Sequence, residues 1–152
     1  MEEQVGQLIA TIKECASSIM QEIGPGWFES IYQSAMEVAL RDKGIMYERQ
    51  RPLPITYCGH VIGDVIPDLV VWLKQDGQKV ALVVELKSDT SLKEDYKVQV
   101  ERYIKELRKQ VKNDETVHPT GVLINFIKDA KNAKIQDGFE EFNGIQCLEI
   151  TV

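Results

Sequence analysis

Two acids and a lysine lie where apolar stretches of the sequence end. Residues 79–84 form a strand-like apolar run that leads directly into Glu85, Leu86 and Lys87, and Asp68 ends another apolar stretch upstream. Because side chains alternate across a strand, Glu85 and Lys87 are expected on the same face, about 7 Å apart along it. Both faces of the run are apolar, which is typical of a buried strand.

Charged groups at the end of a buried strand need compensation. A carboxylate or an ammonium group is costly to desolvate unless it is paired or binds a metal. Convergence of Asp68, Glu85 and Lys87 on one edge of a sheet therefore predicts a divalent-cation site suited to phosphodiester chemistry.

Length and composition indicate an ordinary globular protein. The chain has 152 residues, 43% of them hydrophobic and 28% charged, which predicts one domain over residues 1–152. No apolar stretch approaches the ~20 residues that a bilayer needs, and the acidic N-terminus is unlike a signal peptide. Three widely spaced cysteines without a CxxC pair predict reduced thiols in a cytoplasmic protein, or a nuclear one in a eukaryotic or viral source.

The net charge of −6 argues against extensive wrapping of nucleic acid. It does not exclude a nuclease, because acidic metal ligands contribute to the charge and a bound cation reverses their local sign. Basic residues nevertheless outnumber acids between residues 87 and 112. A solvated helix face with i,i+4 ion pairs is the simpler explanation, and a phosphate-facing stripe is the alternative.

Hydrophobic periodicity and turn residues divide the chain into helices and strands. Helices are predicted over residues 3–23, 27–43 and 91–112, strands over residues 61–73, 79–87, 120–126 and 145–152, an extended edge segment over 47–57, turns at 58–60 and 75–78, and a short helix or loop through Phe139. A crossover helix would join a hairpin-built sheet to a further strand, which predicts an α/β or α+β sandwich.

Two of the predicted helices carry a polar residue near an apolar stripe. Glu29 falls inside the apolar arc of the second helix, where a carboxylate is rarely buried without a partner. A helix-start glutamate that interacts with the helix dipole is an equally good explanation. In the third predicted helix Gln99 borders the stripe one turn before Tyr103, so both can reach the sheet edge, although a helix margin is the simpler explanation.

The order of these residues resembles the motifs of PD-(D/E)XK nucleases of the RecB-like type. The motifs are a helical Glu29, a strand-end Asp68, Glu85-x-Lys87 and Gln99-x-x-x-Tyr103. Segments 26–32, 48–54 and 121–126 resemble more specifically the GxxExxY family of that superfamily, and the resemblance extends from about residue 19 to residue 142. Pro67 supplies the Pro-Asp pair, whereas the basic or aromatic residue expected before Asp68 is absent, and the N-terminal helix is less typical.

The resemblance implies both a fold and a metal site. The fold would be a restriction-endonuclease-like α/β sandwich, with a central mixed β-sheet flanked by helices and an extra N-terminal helix. Asp68 and Glu85 would bind Mg²⁺ or Mn²⁺ through carboxylate oxygens, which are hard ligands for a hard cation. The backbone carbonyl of Leu86 would add a ligand, and Glu29 would complete the acidic cluster directly or through water.

The resemblance also implies catalytic roles. Lys87 would orient or deprotonate the attacking water and offset charge on the phosphorane. Gln99 and Tyr103 would position the lysine, the water or a phosphate. The product would carry a 5′-phosphate and a 3′-hydroxyl.

Five other polar or aromatic residues have simpler explanations. His60 and His118 are isolated from acids and cysteines at ligand spacing, which favours loop histidines over catalysts. Asn125 ends a strand, where a role in shaping a turn is the safer interpretation. Trp27 and Trp72 are predicted core aromatics, with base stacking by Trp27 as an alternative.

Three classes of function stay open on the sequence alone. A metal-dependent nuclease acting on nucleic acid, with DNA favoured, is preferred, and its specificity would come from a homodimer or from partner proteins. A catalytically silent nuclease-fold module that binds nucleic acid or a protein is favoured by the acidic pI of about 5.0 and disfavoured by the intact acids and lysine. In a scaffold protein, Glu85 and Lys87 would be a structural ion pair. The N-terminal helix is a candidate dimer interface, or alternatively a core-packing helix.

Overall fold

A mixed β-sheet with helices on both faces forms the body of the molecule. The structure, a computed structural model, describes residues 1–129, 131 and 138–152. Its elements are α1 (Glu2–Ile23), α2 (Glu29–Asp42), β1 (Met46–Arg49), β2 (Leu53–Tyr57), β3 (His60–Val65), β4 (Leu69–Gln75), β5 (Gln78–Lys87), α3 (Glu94–Arg108), β6 (Glu115–Val117), β7 (Thr120–Phe126), β8 (Glu140–Phe142) and β9 (Ile145–Thr151). No helix among the described residues is long and apolar enough to cross a membrane.

The main sheet has the strand order β1-β4-β5-β7-β9-β8, and β6 pairs with the first part of β5. β5 runs antiparallel to β4 and parallel to β7, and β9 runs antiparallel to β7. Parallel neighbours need a crossover connection, which α3 supplies between β5 and β7. This is the predicted α/β sandwich with a central mixed sheet and an additional N-terminal helix.

Alternate side chains of the central strands belong to two separate cores. α1 and α2 cover one face, on which Ile12 of α1 shares a core with Val84. α3 covers the other face, on which Ile104 shares a core with Val83. The apolar stripe of α1 is buried within the chain, which agrees with the core-packing explanation of that helix.

Strand parity places the candidate residues on the face that α3 covers. Glu85 and Lys87 alternate with Val84 and Leu86, whose side chains lie in or next to the α1–α2 core. Asp68 comes one residue before β4 and has the parity of Val70, which packs in the α3 core. The three charged side chains therefore share one face of the sheet.

Gly121 in β7 allows α3 to lie close to the sheet. A Cβ atom at this position would be 2.6 Å from Val100 Cγ1 and 3.3 Å from the carbonyl oxygen of Val83. Any larger side chain would push α3 outward. Because α3 carries Gln99 and Tyr103, this glycine sets how near the helix comes to the strand-end acids.

Residues 61–73 form two strands, so the prediction of a single strand is wrong. β3 ends at Val65 and β4 begins at Leu69, with Pro67 between them. Proline has no N–H for a β-ladder and therefore interrupts strand pairing. The break lets β3 pair with β2 in a separate two-stranded sheet beside α3 while β4 enters the main sheet.

The other differences concern short elements and helix ends. α2 and α3 are shorter than predicted, and β6 and β8 have only three residues each, too few to give a periodic signal. The short helix or loop expected before Phe139 falls mainly on residues 130 and 132–137, outside the described residues. The turn at Asp76 and Gly77 is confirmed, with positive φ angles of 51° and 79° as a two-residue hairpin turn requires.

Candidate active site

Asp68 and Glu85 meet at the adjacent ends of β4 and β5. The backbone N–H of Asp68 donates to Glu85 Oε1 at 3.0 Å, and the N–H of Leu86 donates to Asp68 Oδ2 at 2.8 Å. Each carboxylate thus holds the backbone of the other strand end, which fixes the two acids side by side. Glu85 is only 2% exposed, whereas Asp68 is half-buried.

The proximity of the two acids perturbs Glu85. Burial, repulsion from the Asp68 carboxylate and a hydrogen bond with the Asp68 side chain raise the pKa of Glu85 to about 8. The Asp68 N–H and the Lys87 ammonium act in the opposite direction but are outweighed. Without further positive charge, Glu85 is therefore largely protonated at neutral pH.

The second oxygen of Glu85 faces a lysine and a tyrosine. Lys87 Nζ lies 3.5 Å from Glu85 Oε2, and the Tyr103 hydroxyl donates to the same oxygen at 3.4 Å. Burial and the nearby Glu85 carboxylate raise the pKa of Tyr103, so its hydroxyl stays protonated at neutral pH. The Lys87 side chain is 13% exposed, which leaves its ammonium group at the rim of the site.

A cavity of about 430 Å³ opens beside the lysine. Lys87, Gln99, Arg102 and Tyr103 line it. The Oε1 atom of Gln99 is buried and has no hydrogen-bond partner among the described residues. The two cationic groups and the phenol can donate to a phosphate-containing ligand, whereas Gln99 Oε1 can accept from a water and the Asp95 carboxylate also lines the cavity.

Glu29 reaches the same end of the sheet from the start of α2. Its Oε1 atom lies 3.4 Å from the N–H of Ser88, and the Ser88 hydroxyl donates to the Trp27 carbonyl oxygen at 2.9 Å. These two contacts attach the segment before α2 to Ser88, which is one residue beyond Lys87. Among the described contacts, none joins Glu29 directly to Asp68 or Glu85.

The prediction that Glu29 lies within a buried apolar arc is wrong. Glu29 is exposed and is the first residue of α2, which agrees with its alternative placement at a helix start. The first turn lacks cover, as Phe28 is 82% exposed and Ile31 43% exposed. Trp27 is 50% exposed, so its assignment to the core is also wrong, whereas that of Trp72, at 6%, is confirmed.

The acid pair fits a divalent cation. No group of three or more His, Cys, Asp or Glu side chains in the described part of the chain is arranged to hold a metal ion. Asp68 and Glu85 nevertheless present converging carboxylates whose mutual repulsion a cation would offset. Mg²⁺ commonly takes only one or two carboxylates and completes its shell with water and substrate phosphate. The donor set thus suits Mg²⁺ or Mn²⁺.

A buried glutamine supports Asp68 from α2 and was not found from the sequence. Gln33, 4% exposed, donates from Nε2 to the Asp68 carbonyl oxygen at 2.9 Å. It also lies 3.4 Å from Glu37, which pairs with Arg49 at 3.2 Å. The available signal was the i,i+4 spacing of Glu29, Gln33 and Glu37 along one helix.

Other polar residues have structural roles. His118 contacts Glu2 at 3.1 Å and accepts from the Thr120 N–H, in keeping with a non-catalytic histidine, and His60 begins β3. Asn125 binds the loop that follows β5, so its predicted turn-shaping role is confirmed. Several basic side chains near α3 form i,i+3 or i,i+4 ion pairs, as expected of a solvated face; they are Lys93, Lys97 and Lys109.

Comparison with known families agrees with this geometry. A sequence model described as the PD-(D/E)XK nuclease superfamily matches residues 6–137, a range that contains Asp68, Glu85, Lys87 and α3. Neither curated proteins nor solved structures gave a match. The mixed sheet flanked by helices is a restriction-endonuclease-like fold. The chain belongs to the PD-(D/E)XK nuclease superfamily.

Proposed function

We propose that this protein is a Mg²⁺- or Mn²⁺-dependent nuclease that hydrolyses phosphodiester bonds in nucleic acid, with DNA as its substrate. The observation that carries the proposal is the junction of Asp68, Glu85 and Lys87 at the adjacent ends of β4 and β5. Membership of the nuclease superfamily supports the same reaction class. We also propose that the chain is one domain and belongs to the RecB-like GxxExxY group, because segments 26–32, 48–54 and 121–126 resemble its motifs.

The acids would hold the cation and the lysine would act on water. Asp68 and Glu85, with the carbonyl of Leu86, would be the protein ligands, and Glu29 would contribute through water. When bound, the cation lowers the pKa of a coordinated water and offsets charge on the phosphate. Lys87, whose Nζ lies 3.5 Å from Glu85 Oε2, would orient the attacking water or, as a neutral amine, accept its proton.

Tyr103 and Gln99 would complete the site from α3. The Tyr103 hydroxyl fixes the Glu85 carboxylate, and Gln99 offers an unpaired acceptor to a water or a substrate group. Attack of water on phosphorus forms the new P–O bond as the bond to the 3′-oxygen breaks. The products would be a 5′-phosphate and a 3′-hydroxyl.

Cleavage assays test the proposal directly. Single-stranded, duplex and branched DNA, together with RNA, would be incubated with the protein and Mg²⁺ or Mn²⁺, with EDTA as the cation-free control. Glu85→Ala and Lys87→Ala should abolish cleavage, whereas Glu141→Ala, at an exposed position in β8, should not. Cleavage that survives in both site variants would exclude this site as the source of the activity.

Cation binding distinguishes a catalytic site from a structural ion pair. A ligand that binds only the folded state at 100 times its Kd stabilises it by about 2.7 kcal/mol. Saturating Mn²⁺ should therefore raise the Tm of the wild-type protein but not that of Asp68→Asn. A Tm that is indifferent to Mn²⁺ would favour the scaffold alternative, in which Glu85 and Lys87 only pair with each other.

Exposed aromatic side chains near the site support nucleic acid as the partner. Trp27 and Phe28 are both exposed, and the Trp27 carbonyl contacts Ser88, the residue that follows β5. Exposed aromatic rings at this position can stack on bases. We also propose that a homodimer or a partner protein supplies specificity, through a surface other than the buried stripe of α1, and that the protein works in a reducing compartment such as the cytoplasm. Light scattering of the purified protein tests the dimer.

A further inference from the structure

A row of polar side chains crosses the α3-facing side of the sheet at the level of Lys87. Lys87, Asn125 and Gln146 are register partners on β5, β7 and β9. Asn125 and Gln146 are both 0% exposed, and Asn125 Nδ2 donates to Gln146 Oε1 at 3.0 Å. Buried amides are costly unless they are hydrogen-bonded, and apolar residues would fill such positions without that requirement. The groups that these buried amides bind should therefore explain why polar residues occupy these positions.

Asn125 holds the backbone of Asp89, two residues beyond Lys87. The Asp89 N–H donates to Asn125 Oδ1 at 2.8 Å, and Asn125 Nδ2 donates to the Asp89 carbonyl oxygen at 3.0 Å. The N–H of Lys128 donates to the same carbonyl at 2.9 Å. The loop between β5 and α3 is thus fixed to the sheet at this residue.

The Asp89 side chain in turn holds Tyr96, in the first turn of α3. The Tyr96 hydroxyl donates to Asp89 Oδ2 at 2.6 Å, while the Thr90 N–H donates to Oδ1 at 2.7 Å. Burial and the hydrogen bond to Asp89 raise the pKa of Tyr96, so the phenol remains a donor at neutral pH. The orientation of the Tyr96 ring is therefore set from the sheet through Asn125 and Asp89.

The Tyr96 ring lies against the Lys87 ammonium. The distance from Lys87 Nζ to the ring centroid is 4.6 Å, within the range of a cation–π interaction. Lys87 borders the 430 Å³ cavity, which Asp95 also lines, so the cavity offers the ammonium both room to move and a competing carboxylate. The Tyr96 ring, which lines the same cavity and contacts the ammonium, opposes that movement.

We propose that Tyr96 is a positioning residue for Lys87, an inference that rests on the proposed nuclease function. The ring face keeps the ammonium beside the Asp68–Glu85 pair, and the Asn125–Asp89 network keeps the ring in place. Tyr96 acts through Lys87 and is not itself a catalytic residue. Its aromatic face matters more than its hydroxyl, because the hydroxyl only orients the ring.

Steady-state kinetics separate positioning from substrate binding. Tyr96→Leu should lower kcat about tenfold with KM changed less than twofold, as the loss of a partly buried cation–π contact implies. Tyr96→Phe keeps the ring and should recover kcat to within about threefold of wild type. Tyr57→Leu, at a tyrosine 69% exposed on the β2–β3 hairpin, is the matched control and should leave both constants unchanged. A rise in KM at constant kcat, or equal losses in the Phe and Leu variants, would overturn the inference.

NMR of the Lys87 side chain provides a readout that needs neither cation nor substrate. The Tyr96 ring should shift the Lys87 Hε resonances upfield, and Lys87→Arg identifies them. The shift should persist in Tyr96→Phe and in the Tyr57→Leu control but vanish in Tyr96→Leu. Equal Lys87 resonances in wild type and Tyr96→Leu would refute the contact. If wild type cuts no substrate, the nuclease proposal fails, whereas the spectra still decide whether Tyr96 holds Lys87.

Discussion

Replacing Glu85 by glutamine should abolish cleavage and at the same time stabilise the cation-free protein at alkaline pH. Glutamine retains an oxygen to accept the Asp68 N–H, which lies 3.0 Å from Glu85 Oε1, and it has nearly the shape of glutamate. It removes the negative charge that burial and the Asp68 carboxylate disfavour. The same charge is what a divalent cation would require.

The pKa of Glu85 gives the sign and the size of the effect. Folding raises this pKa from its ordinary value of 4.5 to about 8, so the folded state binds the proton more tightly than the unfolded state. The stability that Glu85 contributes is complete below about pH 4.5 and is lost as pH rises through about 8. At about 1.4 kcal/mol per pKa unit, the loss above pH 8 is on the order of 5 kcal/mol, an upper limit for the gain in the glutamine variant.

Urea denaturation in EDTA at pH 5 and pH 9 measures the difference. Glu85→Gln should differ little from wild type at pH 5 and have a free energy of unfolding several kcal/mol higher at pH 9. Glu141→Gln, which changes an exposed carboxylate, should stay within about 0.5 kcal/mol of wild type at both pH values. Replacing EDTA with saturating Mn²⁺ should reduce the difference in free energy of unfolding at pH 9, because the cation should stabilise wild type and not the glutamine variant. A glutamine variant that is less stable than wild type at pH 9, or a gap that is independent of pH, would refute the electrostatic reasoning.

Three further substitutions test how the site is assembled. Gly121→Ala should lower the free energy of unfolding by about 1–3 kcal/mol and reduce kcat, because its Cβ would lie 2.6 Å from Val100 Cγ1 and push α3 away. Unchanged values in urea titration and in kinetics would contradict this. Phe28→Ala should leave the urea midpoint unchanged, since the ring is 82% exposed, yet weaken binding of single-stranded DNA in fluorescence anisotropy by about 1–3 kcal/mol; intact binding would rule out stacking there. Tyr103→Phe should lower kcat only about two- to fivefold, because the hydroxyl lies 3.4 Å from Glu85, and a complete loss of cleavage would assign the hydroxyl a direct part in the chemistry.

The residues found from the sequence are those whose character conflicts with their surroundings. Glu85 and Lys87 follow an apolar run that is typical of a buried strand, so their charges stand out without any knowledge of the fold. Asp68 could be placed beside them because two neighbouring apolar stretches end in acids. Periodicity and turn residues also gave the α/β or α+β sandwich, since the long helix between β5 and β7 acts as a crossover, whereas the mixed sheet was implied by the family resemblance.

The residues that were missed look ordinary in the sequence. Asp89 is an acid in a loop and Tyr96 a tyrosine in the first turn of a helix, both common at a solvated surface. Their roles depend on the path of the loop after β5. Asn125, which lies on β7, fixes that path through its hydrogen bond with Asp89. Glu29 was misplaced for a related reason, because helical periodicity cannot show that the first turn of α2 lacks cover.

Both faces of the sheet carry an apolar core, and the candidate site lies on the face that α3 covers. The face covered by α1 and α2 carries an extensive apolar core, with residues such as Ile12 and Val84 fully buried. The face covered by α3 holds the acid pair, Lys87 and the buried amides of Asn125 and Gln146, which are unfavourable to bury unless each finds its partner. The apolar cores on the two faces can offset the electrostatic cost of a site that is strained without a cation. A substitution that shrinks the α1–α2 core away from the site, such as Ile12→Val, should therefore reduce stability while leaving the arrangement around Lys87 intact.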